Sequence, residues 1–267
     1  MSNLSEKAKG LLENKVVNVV IGYEEGPAGI TRPAFITDPV KADKLVYHEK
    51  CLQNLAVYLT KPEVKKLGRM AITATLPVMR SIMMLISEQQ VTSDDIVVIG
   101  ISADAKLLDI PGIDVMRGII EKSDLANPSK DRDILAELNK LGPKERFEWW
   151  EKELSKCIKC YACRQACPMC YCTRCAAEVN QPQWIPVQSD IQGNMEWHIL
   201  RAMHLAGRCI SCGECGRACP VGIPCHLLTM HLADQTFRYF GVHAGTSDKM
   251  KSVLSVYEPG DKENFII

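Results

Sequence analysis

Two stretches decide how the chain is read: Cys157-Ile-Lys-Cys160-Tyr-Ala-Cys163-Arg-Gln-Ala-Cys167-Pro168 and Cys209-Ile-Ser-Cys212-Gly-Glu-Cys215-Gly-Arg-Ala-Cys219-Pro220. Both spell C-x2-C-x2-C-x3-C-P, a spacing that wraps iron–sulfur clusters. Three closely spaced thiolates hold one cubane, and the fourth reaches across to the other. The expected ligands are therefore Cys157, Cys160, Cys163 and Cys219 for one 4Fe–4S cluster, and Cys209, Cys212, Cys215 and Cys167 for a second. The proline after each fourth cysteine breaks regular structure through its fixed φ and missing N–H. Zinc is the competing metal, because C-x2-C pairs are common zinc ligands. A tetrahedral zinc site, however, has no use for three cysteines in close series followed by Cys-Pro, given twice.

Working outward, thirteen cysteines are a high count for 267 residues, and twelve of them lie between 157 and 225. Such clustering is metal usage rather than a set of staples spread over a secreted fold. Thiols that must stay reduced place the chain in the cytoplasm. The 32 basic and 32 acidic residues balance, so no net field draws the whole chain to nucleic acid or an anionic membrane. The first ten residues carry no apolar leader region and no twin-arginine signal. No apolar run approaches the ~18 residues of a membrane helix, so direct membrane insertion is not expected. The length suits two modest domains.

Before the cysteines, apolar runs and helical patterns alternate. Ser5–Asn14 reads as a helix and Val16–Ile21 as a strand ended by Gly22. Residues 39–60 read as one helix with Asp38 as N-cap, carrying Cys51 beside Leu52 and Leu55. Arg69–Thr73 is a strand, Thr75 to about Gln90 a helix, and Ile96–Ile101 a strong strand. This alternation implies an α/β unit with a mainly parallel sheet. The loop at 22–29 has three glycines but is not G-x-G-x-x-G, and Glu24 and Glu25 would face any phosphates. That speaks against FAD or another nucleotide. Residues 103–125 read as irregular. Helices at 131–140 and 144–156 follow, and Phe147, Trp149, Trp150 and Leu154 give the second an apolar side suited to packing a domain joint.

Between the two motifs, 41 residues separate Cys167 from Cys209. They open with Cys170, Cys172 and Cys175, and three extra thiols in six positions suggest a third metal site, zinc or 4Fe–4S. Cys51, Cys225, His198 or His204 would be the fourth ligand. The competing reading makes these ordinary buried thiols beside the clusters. Lys156, Lys159, Arg164, Arg208 and Arg217 lie near the cysteines in sequence, where they would offset negative charge on reduced clusters or form a solvated rim. Helices are expected at 196–206 and from Cys225 to about Arg238.

The stretch 157–241 resembles the ferredoxin-type domain of iron–sulfur subunits related to the β subunits of deazaflavin-reducing hydrogenases and formate dehydrogenases. The resemblance rests on Cys-Pro-Met-Cys-Tyr-Cys (167–172), Pro-Gln-Trp (182–184), His-Leu-Ala-Gly-Arg-Cys (204–209) and Cys-Pro-Val-Gly-Ile (219–223), with weaker similarity at 19–33 and 51–59. It implies an α/β scaffold or docking domain over 1–145, an α+β ferredoxin-like two-4Fe–4S domain with an insertion over 146–240, and a C-terminal tail over 241–267. It also implies an electron-transfer subunit of a cytoplasmic multi-subunit redox complex. Its partners would be a hydrogenase, formate dehydrogenase, heterodisulfide-reductase-like subunit or flavoprotein. The chain departs from such proteins at 73–77 and 102–105, where it has no cysteine. No nucleophile stands with a base, so catalysis falls to a partner. The alternative is a flavin-dependent oxidoreductase with FAD bound by the N-terminal half.

Overall fold

The computed structural model describes residues 2–125, 130–179, 181–254 and 256. In chain order the first half runs α1 (Ser2–Glu13), β1 (Val19–Glu25), β2 (Thr31–Ile36), β3 (Leu45–Val46), α2 (Pro62–Lys65), β4 (Met70–Ala74), α3 (Leu76–Ser87), β5 (Ile96–Ile101), β6 (Leu107–Leu108), α4 (Ile113–Glu121) and α5 (Lys130–Lys140). The sheet order is β2-β1-β4-β5-β6, with β3 also paired to β1. Its three central strands are parallel, Val19 opposite Met70 and Met70 opposite Ile96. Antiparallel strands flank this parallel core: β2 and β3 on β1, and β6 on β5.

The apolar runs explain the arrangement. All five residues of β4 are buried, because the sheet is covered on both faces. On one face α1 packs Leu4, Ala8 and Leu12 against Val20, Ala71 and Ile99. On the other, Val19, Ile21 and Ile72 meet Met79, Ile82 and Met83 of α3. That second layer does not stop at α3. Met169, Leu205, Ile210 and Ala244 join the same core, with Cys167, Cys170, Cys209 and Cys212 packed against it.

Two expectations about the first half need correction. Residues 39–60 are not one helix but two 3₁₀ turns, Pro39–Lys44 and Leu55–Thr60, with β3 and a loop between them. Asp38 does cap the first, its carboxylate accepting from Val40 N–H at 3.0 Å, but Asn54 caps a second, separate turn. Leu45 leaves the helical path because Gly22, with no side chain, lets it lie over β1: a β-carbon there would stand 2.6 Å from Leu45 Cδ2. Cys51 therefore sits in a loop, not on a helix. Residues 103–125, expected to be irregular, contain β6 and α4.

The second half comprises α6 (Pro143–Leu154), α7 (Ala162–Gln165), α8 (Ile191–His204), α9 (Glu214–Arg217) and α10 (His226–Phe240). Among the described residues it has helices and turns and no strand, so the α+β expectation is replaced by an all-helical arrangement. The cysteine stretches turn their backbone N–H groups toward sulfur instead of toward a neighbouring strand. Leu154, Cys157, Cys163, Trp197, Cys215, Ile223 and Cys225 form a core of their own. Trp149 and Trp150 stand edge to face at 4.7 Å and pack where Leu135 and Leu138 of α5 meet Leu227 and Met230 of α10, while Phe147 is exposed. Asp248 binds Arg117 at 2.6 Å, which ties the segment after α10 to the α/β half. The apolar end, Phe265-Ile-Ile, lies outside the described residues. Among the described residues no helix is long and apolar enough to cross a membrane.

Candidate metal centre: two cysteine nests

The repeat in sequence is a repeat in backbone. In the first motif Lys159 (φ 50°) and Tyr161 (φ 59°) adopt left-handed conformation, and in the second Ser211 (φ 59°) and Gly213 (φ 74°) do so at the same two positions. Only Gly213 has no Cβ penalty; the other three carry a strain that native structures keep where it serves a site. The alternation of hands turns successive N–H groups inward, the concavity that binds anionic sulfur clusters. The N–H of Lys159 points at Cys157 Sγ and that of Ser211 at Cys209 Sγ, both at 3.4 Å. Ile223 N–H adds a bond to Cys219 Sγ at 3.3 Å.

Thiols of the two motifs lie close enough to influence one another. Burial raises the Cys157 pKa, the Lys159 N–H lowers it, and the neighbouring Cys163, Cys160 and Cys219 raise it again. Cys219, 62 positions along the chain from Cys157, is therefore one of its electrostatic neighbours. In the other nest, burial and then Cys209 push Cys212 up to about 12, with Cys215 adding to the rise while the Glu214 N–H and the Asn54 side chain lower it. Cys167 is raised first by Cys170 and by burial, and Cys215 lies close enough to add to it. Crowding by neighbouring thiols opposes ionisation of Cys157, Cys167 and Cys212, while the Cys225 thiol holds Cys163 and Cys215 down; a polynuclear cation placed among them would invert that crowding. Buried donors without a partner point the same way: Arg201 Nε and Trp197 Nε1 have no acceptor among the described residues. Sulfide is an acceptor suited to both.

The walls of the two nests differ. The first is enclosed by the insertion: the Ser189 hydroxyl and the Asn194 amide (2.9 Å) both donate to the Cys157 carbonyl, the Lys159 ammonium to Pro186 O, and Arg201 Nη2 to Cys163 O at 2.9 Å. The second is enclosed by the α/β half. Arg80 Nη1 donates to Ile210 O at 3.0 Å, Asn54 N–H to the Glu214 carboxylate at 2.9 Å, and Arg217 Nη2 to Leu52 O at 3.2 Å. Arg208 grips the Glu88 carboxylate through Nε and Nη2, the latter at 2.9 Å.

Of the five basic residues picked out by sequence, Lys156, Arg164, Arg208 and Arg217 pair with Glu153, Glu178, Glu88 and Glu214, and Lys159 with a carbonyl. The buried cations beside the thiols, Arg80 and Arg201, were missed. A signal existed for both: Arg80 is the one charged residue in Leu76–Ser87, and Arg201 falls on the buried stripe of α8 with Asn194, Trp197, His198 and Leu205.

The extra thiols are dispersed. Cys170 packs beside Cys167 on the large core, Cys175 packs on the core around Cys157, and Cys172 is exposed. Cys51 lies in the α/β core, its sulfur accepting from His48 N–H at 3.4 Å. Cys225 lies between the nests, its S–H donating to Cys215 O at 3.3 Å. His204 is exposed and His198 buried. Among the described residues no three His, Cys, Asp or Glu side chains converge as ligands of a single ion would.

His198 has a measurable consequence. Burial, then the charges of Arg201 and Lys159, hold its pKa down to about 4. The unfolded value is about 6.5, so between those limits the unfolded chain binds a proton that the folded chain refuses. Stability falls as pH falls through that window. From this group alone the urea-unfolding free energy at pH 5 should be about 2 kcal/mol below that at pH 7. His198→Gln should lose that part of the pH dependence; equal slopes in the two proteins would assign the effect elsewhere.

A cavity of about 560 Å³ opens between the ends of β4 and β5 and the second nest, lined by Thr75, Arg80, Ser102, Ser211 and Cys212. The glycine-bearing loop before β2 lines a separate cleft of about 520 Å³, with Glu214 in its wall.

Residues 153–223 match the family described as a 4Fe-4S dicluster domain. Over 79 residues, 29% of this chain, the sequence is 40% identical to an F420-dependent formate dehydrogenase subunit beta of Methanocaldococcus jannaschii. Over 108 residues, 40% of this chain, it is 31% identical to an F420-dependent formate dehydrogenase 1 subunit beta of Methanococcus maripaludis. The matched regions are 20% and 27% of those relatives, so this chain spans about a fifth to a quarter of their length. The region of the two motifs thus matches a 4Fe–4S dicluster domain, and the chain is related to these β subunits.

Proposed function

We propose that this chain is an electron-transfer subunit with two 4Fe–4S clusters, one held by Cys157, Cys160, Cys163 and Cys219 and one by Cys209, Cys212, Cys215 and Cys167. The supporting observation is the doubled backbone nest, with left-handed residues and N–H···S contacts at matching positions of both motifs. When bound, each cluster accepts and releases one electron. The chain's own residues fix the thiolates, direct N–H groups at sulfur, bury Cys157, Cys163 and Cys215, half-bury Cys167, Cys209, Cys212 and Cys219, and leave Cys160 exposed. Such an edge suits exchange with the redox centre of another subunit. The formate dehydrogenase relatives favour partners of that kind, with a hydrogenase, heterodisulfide-reductase-like subunit or flavoprotein serving the same chemistry. The complex works in the cytoplasm, where thiols stay reduced.

Iron, zinc and acid-labile sulfide per chain test this on anaerobically purified protein. About eight iron and eight sulfide are expected for two four-iron clusters. About twelve iron would bring Cys170, Cys172 and Cys175 in as ligands of a third. Zinc without sulfide would sink the electron-transfer reading.

A further inference from the structure

The two nests share one buried cation and differ in another. Arg201, on α8, is 4% exposed and lies among Cys163, Cys167, Cys170 and Cys215, which include thiols of both nests. Burial opposes its charge, and those four cysteines more than offset it, raising its pKa. Arg80 comes from the other half of the molecule. It is 8% exposed on α3, and its Nη1 binds Ile210 O, between Cys209 and Ser211, at 3.0 Å. Its Nε and Nη2 bind Ala244 O at 3.3 and 2.8 Å. The thiols beside it are Cys209 and Cys212. Arg80 donates to neutral carbonyls, Arg201 donates to the Cys163 carbonyl and to the Cys170 and Cys215 thiols, and arginine keeps its proton even when buried. Each is thus a fixed positive charge beside the thiols.

A fixed positive charge favours whichever state of a neighbouring group is more negative, with a strength that falls with distance. For an iron–sulfur cluster that state is the reduced one, and local charge is one of the terms that set its potential. We propose that Arg80, supplied by the α/β half, raises the reduction potential of the cluster at Cys209, Cys212, Cys215 and Cys167 and not that of the other, whereas Arg201 raises both. Arg80 is then a positioning residue for electrons rather than a ligand, and the α/β half sets the energy of one centre. The step is a one-electron reduction; no bond breaks and no proton moves. This inference rests on the two-cluster reading above.

The test is an EPR-monitored redox titration of the full chain with dithionite, on protein whose iron and sulfide have first been counted. Arg80→Met should lower the equilibrium constant for reducing one cluster at least tenfold, which is 59 mV for one electron, and leave the other in place. Cys212→Ser should perturb the same step, which identifies it. Arg201→Met should lower both. Arg80→Lys keeps the charge and should hold both potentials near the parent values even though the guanidinium's bonds to Ile210 and Ala244 are lost. If Arg80→Met fails to hold iron, Arg80→Lys carries the test alone: unchanged potentials support the charge, and a shift as large as tenfold overturns it. Arg80→Met shifting neither cluster, or both equally, overturns the inference while a parent count of eight iron leaves the two-cluster reading standing. A parent without clusters overturns both.

Discussion

Replacing Cys167 with alanine should remove the cluster associated with the second motif, although Cys167 belongs to the first. Iron should fall from about eight to about four per chain. The surviving EPR signal should match that left by Cys209→Ala and differ from that left by Cys157→Ala. The reason lies in where the thiol is packed. Cys167 packs on one core with Cys209 and Cys212, whereas Cys157, Cys163 and Cys219 pack on the other; Cys215 joins that second core but lies beside Cys167 and Cys212 electrostatically. The short helix α7 carries the chain from Cys163 toward Cys167, and Arg201 fixes the Cys163 carbonyl behind it. A spectrum of Cys167→Ala that matched Cys157→Ala would mean each motif wraps its own four thiolates, and the crosswise ligand set would be abandoned.

Gly245→Ala should destabilise the protein by about 3 kcal/mol. Two independent costs contribute. Gly245 has φ +73°, where an L side chain costs ~1–2 kcal/mol. A β-carbon there would also overlap the Arg80 carbonyl oxygen and stand 2.8 Å from its carbon and 3.1 Å from its Cα. Those are backbone atoms of a buried helix and cannot swing aside, so the overpacking adds ~1–3 kcal/mol. The segment following α10 would have to lift off α3, pulling Ala244 O away from Arg80. Urea midpoints of the holo protein measure it. Gly241→Ala, at a similar φ of +68° but with open space around its β-carbon, isolates the conformational part. Equal losses in the two variants would show that the contact with Arg80 contributes nothing.

The spacing of eight cysteines was enough to expect two nests, because thiolate geometry around a cubane leaves few ways to space ligands along a chain. It did not disclose how the backbone makes them. Gly213 marks one left-handed position openly, but Lys159, Tyr161 and Ser211 are residue types that do not normally announce positive φ, so only the structure reveals the match. The parallel core strands were legible as continuous apolar runs. The segment 39–60 was misread because its apolar residues recur at helical intervals while reaching the core through two 3₁₀ turns, with Gly22 admitting Leu45 onto the sheet. Arg80 and Arg201 were invisible for a different reason. Their partners are backbone carbonyls and thiols contributed by distant parts of the chain, and pattern along one helix gives no view of what lies opposite it.

Leu52, Asn54 and Arg80 are made long before the cysteines they enclose, yet they form one wall around the second motif. The metal-binding segment is therefore not a cassette. Transplanted onto a different platform, residues 146–240 would carry the first nest with its surroundings nearly whole and the second with one side open to water. On the two-cluster reading, recombination that keeps both centres must keep the two halves together.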